Sequence, residues 1–355
     1  MRSTLYLRGL RQADHTVFAV ADGQKTYRDP ITGREQAYSS GQQVKRSILD
    51  AFVSEIDGEK RAPVTFVRVK DGNALKSREP WSECDPTYAD QLVGGWMRAA
   101  ARTADTEGGG VIKRRSPLSI SAMRPLHPLL ARVDEEKVIT FDRRDDAANN
   151  PVVVVDKDGK ELSADEVEAF VSGNNRTLTR MQFVGGQKRA YGLFVYDVAI
   201  DLSRLFSVTT DHHDPEMTPG VLARLREEDW IEKSGRLIAP KERRDALIPA
   251  LAHALVYWSI TSNQARTYSP LHTLALALSD RASLLGSAIR ADLSEEETAW
   301  GGEKAEPVIE AIDGVNVFVA PSARGFIPGI VADPNALEAA RKAIEEALRA
   351  YDYEA

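Results

Sequence analysis

Residues 190–205, AYGLFVYDVAIDLSRL, constrain the fold most. Leu193, Val195 and Asp197 alternate with Phe194, Tyr196 and Val198, the period-two pattern of a strand buried on at least one face. Such a strand needs partners, and the chain offers several. Residues 3–20 carry Leu5, Tyr6, Leu7, Val17, Phe18 and Val20 and read as a strand pair or one long broken strand. APVTFVRVKDGN predicts a strand with Val64, Phe66 and Val67 apolar, and HTLALALS (272–279) predicts another. Three helices accompany them. Val44, Ile48, Phe52 and Ile56 recur every four residues, DALIPALAHALVYWSI (245–260) reads as a buried helix, and NALEAARKAIEEALRAYD closes the chain after a cap near Asp333-Pro334.

Strand, helix, strand, insertion, strand, helix, strand is the order of a split βαβ, ferredoxin-like unit, an α+β fold with something inserted. The insertion lies where the pattern loosens, between residues 82 and 190. It holds an expected hairpin at PVVVVDKDGKEL with an Asp158-Gly159 turn, and the polar stretch GNNRTLTRMQFVGGQKR. The loop ADGQKTYRDPITGRE (21–35) is marked by turn residues.

Charge narrows the function classes. The 46 basic and 53 acidic residues leave a net charge of -7, which argues against a surface that binds nucleic acid everywhere. Charge is nonetheless segregated. Arg98, Arg102, Lys113, Arg114, Arg115 and Arg124 face only Asp105 and Glu107 over residues 98–124, whereas Asp292, Glu295, Glu296, Glu297, Glu303, Glu306 and Glu310 surround Lys304. One basic and one acidic region suit a polyanion ligand or head-to-tail self-assembly; solvated loops are the plain alternative. Cys84 is the single cysteine, which excludes an internal disulfide and a multi-cysteine metal site. Arg8, Arg11, Asp14 and His15 break up any leader-like apolar run, and no stretch is suited to span a bilayer, so a cytoplasmic location without membrane contact is expected.

Four places carry candidate chemistry. SSGQQVKRSILDAF sets Ser39, Ser40 and Gly41 ahead of Lys45 and Arg46 at a helix start, where unpaired backbone N–H groups and the positive end of the macrodipole favour a phosphate. A Ser-capped amphipathic helix with a solvated Lys-Arg pair is the plain reading of the same residues. VIKRRSPLSIS supplies Lys113, Arg114 and Arg115. NQARTYSP supplies Arg266, suited to bidentate phosphate contact, and Tyr268, suited to stacking on a base. TDHHDPEM groups Asp211, His212, His213 and Asp214, but adjacent residues of one loop rarely converge on an ion, and no metal or cofactor site is expected. His127 and His253 sit in apolar stretches and read as packed. There is no P-loop, GxGxxG or nucleophile elbow.

Taken in order, SSGQQVKRSI, KRRSPLSISAMRPLHP, AYGLFVYDVAIDLSRL and NQARTYSP resemble the Cas-seven family, DevR-like backbone subunits of type I CRISPR Cascade complexes within the repeat-associated superfamily. The likeness spans about residues 3–280. It implies an RRM-like (ferredoxin-like) palm from residues 1–81 and 190–355, a fingers-type insertion at 82–129 and a thumb-type hairpin at 130–189. It further implies a non-catalytic subunit that oligomerises along a crRNA, grips its phosphates and presents its bases to target DNA, beside other copies of itself and other Cascade subunits. Carried over, Ser40, Gly41, Gln42, Gln43, Lys45 and Arg46 match the RNA-gripping helix start, with Gly41 and Gln43 standing where relatives often have serine. Arg266 and Tyr268 match a second RNA-facing loop, and Met181 and Phe183 are candidates for the thumb's wedge. A guide holder that accepts any sequence should contact phosphate and sugar and leave base edges free, which suits these residue types.

Two other readings remain open in the sequence. RNA-targeting relatives cut with an aspartate in the first strand-to-helix loop, where Asp22 and Asp29 lie, although turn-forming aspartate is common. An RNA-free regulatory scaffold would use the charged faces for self-association alone.

Overall fold

The computed structural model describes residues 3–18, 23–78, 80–98, 111–142, 149–261, 267–294 and 302–355. The chain separates into two compact units, residues 1–132 with 190–355, and residues 133–189.

The larger unit is built on one antiparallel sheet. Its central path comprises β1 (Thr4–Thr16), β2 (Leu118–Ile120), β3 (Met181–Asp201), β4 (Thr273–Ser279) and β5 (Asn316–Val319), in the spatial order β2-β3-β1-β4-β5; the short strand Arg124–Pro125 also pairs with β3. Helix α1 (Gly41–Ser54) connects β1 to β2, and α2 (Lys241–Tyr257) connects β3 to β4. Two strand-helix-strand halves interleaved in the order 2-3-1-4 are the ferredoxin-like topology, so the fold is α+β, with β5 added at the β4 edge. Register follows burial: Leu7 pairs with Val198 on one side and Leu278 on the other.

The second palm strand is a correction. Residues 64–67 do not join this sheet; Val64–Thr65 pairs only with Trp81–Ser82, and Phe66 is 69% exposed. Arg68–Asp71 and Ala74–Ser77 form a small exposed hairpin. The strand that completes the palm is Leu118–Ile120, paired with Ala199 and its neighbours. Leu118 is wholly buried, whereas Val64 and Phe66 find no core to enter.

Helix α1 presents Val44, Ile48, Leu49, Phe52 and Val53 to the interior, each worth about 1.5–3 kcal/mol on burial. Helix α2 buries Leu247, Ile248, Leu251, Leu255 and Val256 and tolerates Pro249 in its interior. Its C-terminal carbonyls are satisfied from the sheet. Arg11, nearly fully buried, donates to the Trp258 oxygen at 2.9 Å and the Val256 oxygen at 3.4 Å, with its guanidinium 3.9 Å from the Trp258 ring. Burial holds the Arg11 pKa below its ordinary value, and a cation at a helix C-terminus offsets part of that cost.

Residues 282–327 cover the other face of the sheet. Leu10, Leu193 and Leu274 pack there with Leu285, Ala288, Ile289, Ala323 and Ile327. The closing helix α3 (Ala336–Arg349) buries Ala336, Ala340, Ile344 and Leu348.

In the smaller unit, Ala131–Asp142 pairs with β3. The expected hairpin at 151–162 reduces to one bridge, Val155 to Glu161, around the turn. A helix then spans Ala164–Gly173, closed by a capping box in which Ser163 and Glu166 satisfy each other's backbone N–H. None of its side chains is buried.

Candidate nucleic-acid interface

The start of α1 is a capped helix N-terminus. Ser40 is the N-cap and its hydroxyl accepts from the Gln43 N–H at 3.4 Å. Ser39 is turned away from solvent: its backbone bridges Met123 through bonds of 2.9 and 3.0 Å, and its side chain is buried. Gly41 answers to the chain's own backbone. A Cβ there would lie 2.8 Å from the Ile120 oxygen and 3.2 Å from the Ser121 carbonyl carbon, so the space beside it is filled by β2 and its continuation. Gln42 and Arg46 are exposed on the outer side of the helix, Gln43 half-buried.

The Lys-Arg pair divides. Lys45 points inward, its Nζ donating to the Gly94 oxygen and the Ser116 hydroxyl, both at 2.6 Å. Burial, with a smaller push from Arg114, lowers its pKa to about 8. Arg46 is 65% exposed and pairs with Asp50 one helical turn on, at 3.6 Å. The two were expected to act together on a ligand; in the structure Lys45 is committed to the fold and Arg46 alone faces solvent.

The basic segment divides in the same way. Arg114 lies buried on the strand Ile112–Arg114, opposite Trp96. It donates to the carbonyls of Leu92 (2.5 Å), Arg204 (2.7 Å) and Ser207 (3.1 Å), and Glu216 lies 3.8 Å from its Nε. Burial takes its pKa down to about 10, with Glu216 opposing the shift. Arg114 is therefore a strut that ties four segments together rather than a ligand contact. Lys113 and Arg115, its neighbours, are exposed. Ser116 is bonded to Lys45, which ties the backbone just after the exposed Arg115 to the first turns of α1.

The structure adds a residue that sequence reasoning counted only as charge. Arg124 follows Met123, whose backbone pairs with Ser39, so an exposed guanidinium is carried to the helix start. Tyr38 precedes Ser39 and packs edge-on to the half-exposed Tyr27, their centroids 5.9 Å apart. The pairing of residue 123 with residue 39 brings Arg124 to this helix start, while the short hairpin Thr26–Arg28 with Glu35–Ala37 sets Tyr27 against Tyr38.

The second loop begins against α1, where Thr261 contacts the Ser47 hydroxyl, and ends on β1. Thr16 donates to the Thr267 oxygen at 2.7 Å and the Asp14 N–H to the Ser269 hydroxyl at 3.3 Å, so Tyr268, 76% exposed, is carried between two anchored residues. Arg266 lies outside the described residues, as do the side chains of Met181 and Phe183.

Of the two loop aspartates, Asp22 lies outside the described residues. The Asp29 carboxylate accepts from the Ile31 N–H, the Thr32 N–H and the Thr32 hydroxyl at 2.8–3.2 Å, which holds its pKa below the usual carboxylate value. That is the geometry of a turn. Among the described residues no three His, Cys, Asp or Glu side chains are grouped to hold a metal ion, and no helix is long and apolar enough to cross a membrane.

No family model matches the chain, and no curated protein does. Two solved structures are similar to it over 98% of its length. One is a chain of a CRISPR RNA-guided surveillance complex, pre-nicking, with a TM-score of 0.39, 9% identity and 88% of that chain covered. The other is a chain of a CRISPR RNA-guided surveillance complex, with a TM-score of 0.37, 11% identity and 84% covered.

Proposed function

We propose that this chain is a non-catalytic, cytoplasmic backbone subunit of a Cascade-type CRISPR surveillance complex, one that oligomerises along a guide RNA and holds its phosphates so that the bases stay free to pair with target DNA. The observation that carries the reading is the bond from Lys45 to Ser116, which fastens the α1 start to the basic segment while Arg46, Lys113 and Arg115 are each exposed in a protein of net charge -7. Arg124 and the capped helix N-terminus add groups suited to phosphate contact. The order of the four sequence motifs supports the same reading. Cover on the second face of the sheet, over Leu10, Leu193 and Leu274, leaves the helix start and the loops as the place for a strand.

The test is the salt dependence of binding to unrelated single-stranded RNAs. Arg46→Ala with Arg115→Ala lowers affinity about ten-fold for every sequence alike and flattens the slope of log K against log salt by about 1.4, two phosphate contacts' worth. Binding that is insensitive to salt, or a loss confined to one sequence, would overturn the proposal. Co-purification of a discrete array-derived RNA from co-expression with neighbouring genes separates a guide holder from an RNA-free scaffold.

A further inference from the structure

The far end of β1 carries a feature that the gripping surface does not use. Ala13 pairs with Gly192 and Thr16 with Ala190, so Asp14 and His15 stand opposite Tyr191 alone: a β-bulge. His15 takes a positive φ of 43° and its ring reaches the Tyr191 hydroxyl. Gly192 has φ 117°, and a Cβ there would lie 2.2 Å from the Leu130 oxygen and 2.5 Å from the Ala131 Cα, so only glycine lets the segment before Arg132 pass this close.

The bulge and this crossing segment form an open groove of about 610 Å³, within the range of small-ligand sites. Its walls include Tyr191, Phe326, Leu130, Arg34 and Arg132, with Asp14 the one carboxylate among its lining. The Arg132 guanidinium lies 4.8 Å from the Tyr191 ring centroid. Phe326 is 41% exposed, and Arg34 is exposed with no ion pair among the described residues. Tyr268 is carried to the same bulge by its neighbours' bonds to Thr16 and Asp14.

We infer that this groove binds a nucleoside phosphate, its base against Tyr191 and Phe326 and its phosphate on Arg34. Two aromatic side chains and two guanidiniums in one concavity match a flat π-system bearing negative charge, and an arginine fork pairs with phosphate in two-point geometry. Asp14 accepts from a sugar hydroxyl or an exocyclic amine. The ligand is either one unit of a single strand or a free nucleotide. The inference uses no group at the α1 start and does not depend on the gripping surface.

The test uses the full chain with Phe326→Ala and Arg34→Ala, both at exposed positions, after circular dichroism shows the fold unchanged. A single-stranded RNA carrying thiouridine is photo-crosslinked and its adducts mapped, while AMP and UMP are titrated by calorimetry. If the ligand is a strand unit, adducts fall on peptides bearing Tyr191 or Phe326 and drop roughly ten-fold in Phe326→Ala, but persist per bound strand in Arg46→Ala with Arg115→Ala. If it is a free nucleotide, AMP or UMP binds the wild type and weakens about as much in Phe326→Ala, without adducts there. Absence of both signals in the wild type, or equal signals in wild type and Phe326→Ala, overturns the inference. Failure of the gripping surface looks different: strand binding loses its salt dependence while mononucleotide titration is unaffected.

Discussion

Lys45 and Arg46 are neighbours in sequence with opposite environments, and that difference has a measurable consequence. The Lys45 pKa is lowered in the folded state, so the folded chain binds fewer protons than the unfolded chain between about pH 8 and the ordinary lysine value. Stability from this group therefore rises with pH across that window; below pH 8 the buried cation is an unrelieved cost. Urea titrations of wild type and Lys45→Met from pH 7 to 10 should show the wild type gaining stability relative to the variant as pH rises. A difference that is flat with pH would show that Lys45 is not held as its bonds to Gly94 and Ser116 imply. The helix phase placed Lys45 at the border of the apolar face, which was legible in the sequence. What lay across that border was not, because Ser116 is 71 residues away. Arg114 fails for the same reason: three consecutive basic residues look alike until a strand places the middle one inside and the outer two outside.

At the scale of elements, β1, α1, the part of β3 from residue 190 on, α2, β4 and α3 were legible because each has a buried face long enough to set a period. The exchange of residues 64–67 for Leu118–Ile120 as the second palm strand was not, since both are short apolar runs and only pairing with β3 decides between them. The helix Ala164–Gly173 was missed although Ser163 and Glu166 spell a capping box; its cap is local, but its face finds nothing to bury against. A helix of that kind is stable only locally. Its amides should exchange with deuterium far faster than those of α2, and Ser163→Ala should raise their exchange further, by about the 1 kcal/mol of a lost N-cap. Protection in the free protein equal to that of α2 would mean that the unit 133–189 has a core which its exposed Val153, Val155 and Phe170 do not suggest.

For the whole molecule, the decisive arrangement is a sheet covered on both faces, by α1 and α2 on one, with α3 against α2, and by residues 282–327 on the other. That segment had no counterpart in the resemblance that organised the sequence, and its contribution became visible only as packing on Leu10, Leu193 and Leu274. Stability and ligand contact are thereby assigned to different residues, and the assignment can be tested in both directions. Leu285 is 3% exposed within the C-terminal cover, so Leu285→Ala should cost about 2–5 kcal/mol in denaturant unfolding through the cavity it leaves. It should leave RNA affinity per folded molecule unchanged, because Leu285 lines neither the gripping surface nor the groove beside Phe326. Arg46→Ala with Arg115→Ala should do the reverse: exposed guanidiniums removed from a protein of net charge -7 shift stability by no more than about 0.5 kcal/mol while RNA affinity falls. If Leu285→Ala weakened RNA binding as much as the arginine pair does, the cover around Leu285 would itself belong to the interface, and the strand would have to run beyond the groove at Phe326 across the second face of the sheet.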